Sequence, residues 1–240
     1  MSELIYEPTV EVKAATTLLD AARNPRATAD QDVGADGERI IEAAGRECYD
    51  SYGRGRSSVA YHAHILEVDN GSVLQHVSYT FRISGVSRGL THELVRHKIG
   101  IAVSQRSTRY VAERDTPWVV HPTMDTADIG ALLAAKRNAR EAYIRMVEQM
   151  KPRVGRKQAL GAARAVLGNA LATSLYWTAN VQALRHCLDK RAVPEADAEI
   201  CRLFVEIWRK VMPLCPAYFA DYRVAVDEAT GWEYLRRGEE

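Results

Sequence analysis

The chain has 240 residues, of which 47% are hydrophobic and 26% are charged, as in a protein that buries an ordinary core. Its formal net charge of +1 carries no information about nucleic acid, so only local clusters can point to such a partner. No apolar run is long enough to span a membrane, and Met1-Ser2-Glu3 begins no secretory signal. We expect one domain over residues 1–240, located in the cytoplasm, with no nucleic-acid and no membrane partner.

The first half of the chain is predicted to mix strands and helices. Val10–Ala14 is an opening strand, followed by a short helical piece and by a loop from Asn24 to Gly37. Val77–Ser84 alternates apolar and polar side chains, which predicts a half-buried antiparallel strand that ends at Gly85. Capping residues and apolar spacing predict three helices: one capped by Asp36, one from Ser57 or Ser58 to Glu67, and one from about Ser87 to Lys98.

The second half is predicted to be mostly helical, because apolar residues recur there at helical spacing. The expected helices are Ala127–Met150, Arg156–Leu167, Leu171–Arg191 and Pro194–Val211. Tyr222–Val226 is expected to be a closing strand, and Arg236–Glu240 is expected to fray. The predicted class is α+β, with a small antiparallel sheet and a large helical part.

Disulfides and metal sites are not expected. The four cysteines lie far apart without a Cys-x-x-Cys pair, which indicates free buried thiols in a reducing cytoplasm. His92 and His97 resemble the histidine pair of a zinc-protease helix, but that pair needs a spacing of four residues. A spacing of five rotates the second ring by about 500°, so the two rings diverge.

The stretch from His92 to Tyr110 concentrates polar chemistry. It holds four Lys or Arg residues, and the run from Arg106 to Arg109 is polar without a carboxylate. Because buried charges need a partner, an anion from outside is one interpretation, and arginine forks with hydroxyls suit phosphate. The other interpretation is a solvated basic face with a turn at Gly100. The glycine-rich basic loop Tyr52–Ser58 is also compatible with a phosphate contact, although such loops are more often only loops.

A second polar set interrupts the predicted helix Leu171–Arg191. Its members are Asn180, Gln182, Arg185, His186 and Arg191. Asn180 and Arg191 are eleven residues apart, so on one helix they fall within about 20° of the same stripe. Arg164 on the preceding helix adds another cation. By itself, this set equally suits a helix whose polar side faces water.

These residues resemble the signature of the flavin-dependent thymidylate synthases, which is Arg-His-Arg, seven residues, and then Ser-x-Arg-Tyr. Here the signature reads Arg96-His97-Lys98, eight residues, and then Ser107-Thr108-Arg109-Tyr110. The supporting blocks that match in order are Gly45–Tyr49, Gly71–His76, Thr91–Arg96, Arg164–Leu167 and Asn180–Arg191. The similarity spans roughly Glu38 to Tyr222, and the chain is identified as a member of this family.

The resemblance implies a homotetramer with active sites where subunits meet. It implies bound FAD that NADPH reduces, and transfer of one carbon from methylenetetrahydrofolate to C5 of a uridine monophosphate, with the reduced flavin as hydride source. The residues that it assigns to FAD are Ser72, Arg96, His97, Lys98, Ile99, Asn180 and His186. The residues that it assigns to the nucleotide are Glu93, Gln105, Arg106, Ser107, Arg109 and Arg191, with Arg164 from another subunit.

Arg191 is the residue to which the resemblance gives a catalytic role, because it stands where the family pairs a guanidinium with the pyrimidine edge. Such a fixed cation favours ionisation at N3 and moves electron density onto C5, which is otherwise a weak nucleophile. Ser107 would be a covalent nucleophile only if a base activated it, and no histidine–carboxylate pair is identifiable for that task. Ser107 is therefore interpreted as a phosphate ligand.

The chain departs from the family pattern at positions near flavin and substrate. One residue is inserted before Ser107, and the replacements are Lys98 for arginine, Asn70 for histidine, Gln75 for glutamate, Gln182 for arginine and Glu195 for histidine. The departures resemble the divergent UMP methylase branch of polyoxin-type nucleoside antibiotic biosynthesis, and they predict methylation of both UMP and dUMP. The alternatives are an ordinary dUMP-specific thymidylate synthase and a non-catalytic nucleotide- or RNA-binding protein. Tyr110 is the only aromatic residue of the stretch His92 to Tyr110, which disfavours RNA.

Overall fold

The computed structural model describes residues 3–20 and 22–238, and within these ranges the chain mixes helices with short strands. The helices are α1 Asp36–Tyr49, α2 Ser58–Glu67, α3 Gly71–Leu74, α4 Arg88–Leu94, α5 Thr126–Ala163, α6 Val181–Arg191 and α7 Ala198–Val211. The strands are β1 Leu4–Ile5, β2 Thr9–Ala15, β3 Ser78–Ser87, β4 Ile101–Gln105, β5 Trp118–Val119, β6 Ala172–Asn180, β7 Tyr222–Val226 and β8 Glu233–Arg237. The predicted α+β class is confirmed.

The strands form three small sheets. Strand β1 pairs with β5 in parallel, β7 and β8 form an antiparallel hairpin, and the largest sheet has the order β2-β3-β6-β4. The chain divides into two compact units. The first unit comprises the described residues of Met1–Thr9, Ile83–Arg96 and Val103–Tyr176, and the second comprises the described residues of Val10–Arg82, His97–Ala102 and Trp177–Glu240. No helix in the described ranges combines the length and apolarity that crossing a bilayer requires.

The first unit packs two apolar clusters around α5. Leu4 and Trp118 face each other across β1 and β5 and form one cluster with Val120 and Leu171. The second cluster joins Tyr143 to Leu160 and Ala163. If α5 were straight, Tyr143 and Leu160 would be about 25 Å apart. Gly155 makes this return possible, because its φ of +75° breaks α5 into two helical parts. This break lies one residue before the predicted helix start at Arg156.

The second unit has an aromatic core. The ring of Trp177 packs against Phe81 and Phe204, with both centroid distances at 5.8 Å, and all three side chains are fully buried. Phe81 comes from β3, whose buried and half-buried residues alternate as predicted over the stretch from Tyr79 to Ile83. This packing anchors β3 and β6 in the second unit, and Asn180 is the last residue of β6.

The predicted helix Leu171–Arg191 is wrong in its first half, where β6 stands instead. Thr173, Leu175 and Trp177 are buried while their intervening neighbours are more exposed, which is the alternation of a strand. The helix α6 begins only at Val181, because the side chain of Asn180 caps it by accepting a hydrogen bond from the backbone N–H of Ala183 at 2.8 Å.

Other predicted boundaries also need correction. Strand β3 does not end at Gly85 but continues to Ser87, and α4 ends at Leu94 rather than Lys98. The segment expected to be a loop after Lys98 contains β4, so the inserted residue does not simply lengthen a loop. Within the described part of 16–35 there is no helical piece.

The remaining corrections concern helix starts, cysteines and the C-terminal segment. Helix α1 has Ala35 at its N-cap and Asp36 as its first residue, and α7 starts at Ala198 rather than Pro194. Three cysteines are free and buried, but Cys48 is exposed. Arg236 and Arg237, which were expected to fray, pair with β7 as part of β8; residues 239–240 of the predicted frayed end lie outside the described residues.

Candidate functional site

Arg106 directs its guanidinium at a buried carboxylate within the first unit. Nη2 of Arg106 donates to Oε2 of Glu113 at 2.9 Å and to the hydroxyl of Thr116 at 3.3 Å. Glu113 is only 3% exposed, and the Thr116 hydroxyl donates to the same carboxylate oxygen. The run from Arg106 to Arg109 contains no carboxylate, but the fold supplies one to Arg106 from position 113. Its fork is fixed in one direction before any ligand binds.

Two further guanidiniums belong to the same group. Nη2 of Arg88 donates to the backbone oxygen of Arg106 at 2.8 Å, and Nη1 of Arg164 donates to the hydroxyl of Thr108 at 3.3 Å. Burial lowers the pKa of Arg88, attraction to Glu113 opposes this, and repulsion by Arg106 and Arg164 lowers it further. The three cations therefore act on one another. We call Arg88, Arg106, Arg164 and Glu113 the arginine group.

The neighbouring predicted nucleotide residues lie in the same unit. Ser107 forms a turn in which its hydroxyl accepts from the backbone N–H of Arg109 at 3.3 Å. Gln105 donates to the hydroxyls of Thr91 and Thr173, which fixes its side-chain amide. Glu93 is half-buried on α4. The first unit thus contains all predicted nucleotide residues except Arg191.

His97, His186 and Arg191 come together in the second unit. Nε of Arg191 donates to Nε2 of His97 at 3.0 Å, so this ring nitrogen accepts and the imidazole is neutral. The rings of His97 and His186 meet edge to face at a centroid distance of 5.6 Å. Burial lowers the pKa of His97, and the charge of Arg191 and the neighbouring His186 lower it further. We call these three residues the histidine group.

Gly100 brings the backbone unusually close to Asn180. Its φ is +71°, and a Cβ atom built on it would lie 2.5 Å from Nδ2 of Asn180. The backbone N–H of Asn180 donates to the carbonyl of Gly100 at 3.0 Å, so the contact is fixed by the main chain. A side chain at position 100 is thus opposed by both backbone conformation and space.

The other predicted flavin residues are exposed donors. The hydroxyl of Ser72 donates to the side chain of Asn70 at 2.9 Å, Lys98 is exposed, and Ile99 is 87% exposed. With the rings of the histidine group, this set offers cations and hydroxyls suited to a diphosphate and ring nitrogens suited to a flat heteroaromatic ring. The donor chemistry therefore fits a flavin nucleotide. All predicted flavin residues lie in the second unit except Arg96, which belongs to the first.

Glu113, Arg88 and Thr116 are site residues that sequence reasoning missed. Glu113 and Thr116 lie in an irregular segment with no periodic pattern, so no local signal marks them. Arg88 directly follows the capping residue Ser87, and the pattern there indicated only a helix start. Among the described residues, no group of three His, Cys, Asp or Glu side chains is placed to hold a metal ion.

Comparison with known proteins gives consistent matches. A family model described as "Thymidylate synthase complementing protein" matches residues 32–217. A flavin-dependent thymidylate synthase of Mycobacterium avium (strain 104) is 40% identical over 203 residues, covering 79% of this chain and 81% of the relative. A flavin-dependent thymidylate synthase of Mycobacterium tuberculosis (strain ATCC 25618 / H37Rv) is 41% identical over 202 residues, covering 78% and 80%.

Two solved structures have a similar fold, and both are of the UMP/dUMP methylase PolB from Streptomyces cacaoi. The structure bound with 5-Br UMP matches with a TM-score of 0.67 at 20% identity, covering 91% of this chain and 95% of that chain. The structure bound with 5-Br dUMP matches with a TM-score of 0.68 at 18% identity, covering 91% and 96%. At this level of identity, the likeness concerns the fold.

Proposed function

This chain belongs to the flavin-dependent thymidylate synthase family, and we propose that it methylates C5 of UMP and dUMP with bound FAD, using NADPH and methylenetetrahydrofolate as co-substrates. The observation that carries the proposal is the hydrogen bond from Arg191 to His97 at 3.0 Å. It joins the residue assigned to the pyrimidine edge to a residue assigned to the flavin. The proposed reaction needs the pyrimidine and the flavin side by side, and this contact would hold the residues assigned to them next to each other.

Arg191 supplies fixed positive charge for the uracil ring. C5 becomes nucleophilic as negative charge builds up on the ring, and a guanidinium held by His97 stabilises that charge without reorganising. Because His97 is neutral, it does not compete with Arg191 for the anionic ring. When bound, FAD supplies the reducing equivalents that complete the methyl group.

The nucleotide is held by the first unit. Arg106 and Arg109 offer guanidiniums, Ser107 offers a hydroxyl and backbone groups in a turn, and Arg164 adds a further cation. These groups suit the phosphate, because it carries charge and three acceptor oxygens. Glu93 and the fixed amide of Gln105 would then hold uncharged parts of the nucleotide.

FAD would be held by the exposed residues of the flavin set and by the rings of His97 and His186. The residues that would hold it are Ser72, Arg96, His97, Lys98, Ile99, Asn180 and His186. The close approach at Gly100 supports this assignment, since it fixes the backbone beside Asn180 while leaving Ile99 exposed. At 87% exposed, Ile99 is open to contact by a ligand.

The assembly proposed for this reaction is a cytoplasmic homotetramer with active sites where subunits meet, in which residues 1–240 act as one catalytic domain. Family membership is the support for this assembly. Because Arg164 donates to Thr108 of its own chain, we place it with Arg106 at the same phosphate, in place of the expectation that it comes from another subunit. Light scattering coupled to gel filtration measures the assembly directly.

Sugar preference separates two versions of the proposal. The fold similarity to PolB, bound with both 5-Br UMP and 5-Br dUMP, supports acceptance of either sugar. The 40% identity to mycobacterial flavin-dependent thymidylate synthases favours the alternative, an ordinary dUMP-specific enzyme. A site that merely tolerates a 2′-hydroxyl discriminates by about a hundredfold at most. We therefore propose turnover of both, in the manner of the UMP/dUMP methylase branch.

Release of tritium from C5 tests the function. Protein loaded with FAD is incubated with NADPH, methylenetetrahydrofolate and UMP or dUMP labelled at C5, and tritium in water is counted beside the 5-methyl product. We expect release and methylation in step, both dependent on all three additions. Release without a 5-methyl product, or no release with either nucleotide, contradicts the proposal.

A further inference from the structure

Glu113 carries a negative charge at a place where the sequence pattern led us to expect only cations. Its side chain is 1% exposed, and Oε2 accepts from Nη2 of Arg106 at 2.9 Å and from the Thr116 hydroxyl. Oε1 is buried and has no hydrogen-bond partner in the part of the chain that the structure describes. One oxygen of this carboxylate thus holds the fork of a proposed substrate residue.

The segment that carries Glu113 is itself anchored. The backbone N–H of Glu113 donates to the hydroxyl of Tyr143 at 3.2 Å, and Tyr143 is buried in the apolar cluster of α5. At the other end of the contact, the backbone N–H of Arg106 donates to the carbonyl of Ser174 in β6 at 3.0 Å. Both partners of the ion pair therefore start from fixed backbone, so the direction of the Arg106 fork is set in advance.

The arginine group also has an unbalanced charge. Three guanidiniums and one carboxylate leave two positive charges, and Nε of Arg88 is buried without a hydrogen-bond partner among residues 3–20 and 22–238. Arg106 and Arg164 are exposed, so they can reach an anion from solvent, while the buried Nε of Arg88 adds positive charge behind them. A phosphate monoester carries about −1.5 to −2 at neutral pH, which matches the excess.

We propose that Glu113 is a positioning residue for the nucleotide phosphate, which holds the Arg106 fork and leaves the arginine group with the charge that a phosphate dianion neutralises. The inference rests on the proposed function, because it takes Arg106 as a phosphate ligand. Glu113 acts through Arg106 and does not touch the substrate, since a carboxylate repels a phosphate. Without Glu113, the fork loses its direction while the cation remains.

A double-mutant cycle tests this role through ligand binding rather than turnover. Calorimetry on the FAD-loaded protein measures the Kd of UMP and of uridine for the parent, Glu113→Gln, Arg106→Gln and the double variant. Glu113→Gln keeps the shape of the side chain and removes its charge. Glu148→Gln, on the exposed side of α5, is the matched control.

We expect Glu113→Gln to weaken UMP binding about tenfold, as loss of a charge-assisted contact does, and to change uridine binding less than twofold. In the Arg106→Gln background, the same substitution should change UMP binding less than twofold, because its partner is absent. An equal effect in both backgrounds, or equal weakening of UMP and uridine, overturns the proposal. If Glu113→Gln does not fold by near-ultraviolet circular dichroism, Glu113→Asp replaces it, with about threefold weakening expected and unchanged affinity as the contrary result.

The failure of this inference differs from the failure of the proposed function. A parent protein that methylates UMP while Glu113→Gln binds UMP as tightly as the parent leaves the function intact and removes Glu113 from it. A parent that binds UMP in the Glu113-dependent manner but methylates nothing supports the phosphate site and contradicts the function. A parent that binds neither UMP nor dUMP contradicts both.

Discussion

The arginine group of the first unit and the histidine group of the second differ in how their charged side chains are held. In the arginine group, a buried carboxylate aims a guanidinium and excess positive charge remains. In the histidine group, the neutral ring of His97 accepts a hydrogen bond from the guanidinium of Arg191. In the same unit, the backbone of Gly100 closely approaches the side chain of Asn180. We infer that the arginine group suits a phosphate, which directed charge can select, whereas the histidine group suits a flat, mostly uncharged ring, which shape and uncharged groups can select.

The largest effect is expected at Arg191. Arg191→Ala should lower kcat by about 10²–10³-fold, because the guanidinium matters most as charge builds on the uracil ring, and KM for UMP should change much less. Steady-state kinetics of methylation measure both constants, with the exposed Arg137→Ala on α5 as control. A change confined to KM contradicts the proposed ionisation role.

A methyl group at Gly100 should disturb the second unit only. Gly100→Ala forces a side chain into a backbone with φ of +71° and into the side chain of Asn180. We expect flavin affinity to fall about a hundredfold in a fluorescence titration, while uridine nucleotides still bind. Gly130→Ala is the control, because a Cβ there meets no atom within 4 Å, and it should keep flavin affinity. Equal flavin affinity in both variants would show that position 100 is remote from the flavin.

Arg96 is assigned to FAD but lies in the first unit, whereas the other residues assigned to FAD lie in the second. Its substitution therefore tests whether FAD is bound by residues of the second unit alone. Arg96→Ala should lower FAD affinity by one charge-assisted contact, about 1.5–3 kcal/mol or roughly tenfold and more. Arg137→Ala again serves as control. Should titration give the same FAD affinity for Arg96→Ala and the parent, the assignment of Arg96 is wrong.

The smallest effect concerns the protonation of His97. Its pKa is held below the ordinary 6.5 by burial, by Arg191 and by His186. As the pH falls below 6.5, His97 takes up a proton in the unfolded chain before it does so in the folded chain. The free energy of unfolding therefore decreases between pH 6.5 and the lower pKa of His97 in the folded protein. Arg191→Ala should raise the pKa of His97 in the folded protein and so narrow the pH range over which stability is lost. Ring titration by NMR measures it, and an unchanged pKa contradicts the coupling.

The elements that the sequence predicted correctly are those with one clear period. Strand β3 alternates, and α2 follows its capping residue Ser57, so local residues decide both. The helix expected over Leu171–Arg191 failed because Leu171 and Leu175 also fit a helical stripe, while burial of Thr173 and Trp177 depends on neighbouring strands. Tertiary packing therefore decided what local pattern left ambiguous.

The candidate site divides in the same way. The signature residues from Arg96 to Tyr110 are contiguous, so a resemblance could locate them. Glu113 and Arg88 could not be found, because their roles depend on which atoms face Arg106 after the chain has folded back. Arg191 and His97 were each assigned from separate blocks, and only the structure brings their side chains within 3.0 Å.

A competition between UMP and dUMP in one reaction tests the central claim most directly. FAD-loaded protein, NADPH and methylenetetrahydrofolate are supplied with both nucleotides at equal concentration, and mass spectrometry resolves the two 5-methyl products. The account predicts both products, with UMP methylated at least as fast as dUMP. Methylation of dUMP without detectable methylation of UMP would make the protein an ordinary thymidylate synthase, and methylation of neither would contradict the proposed reaction itself.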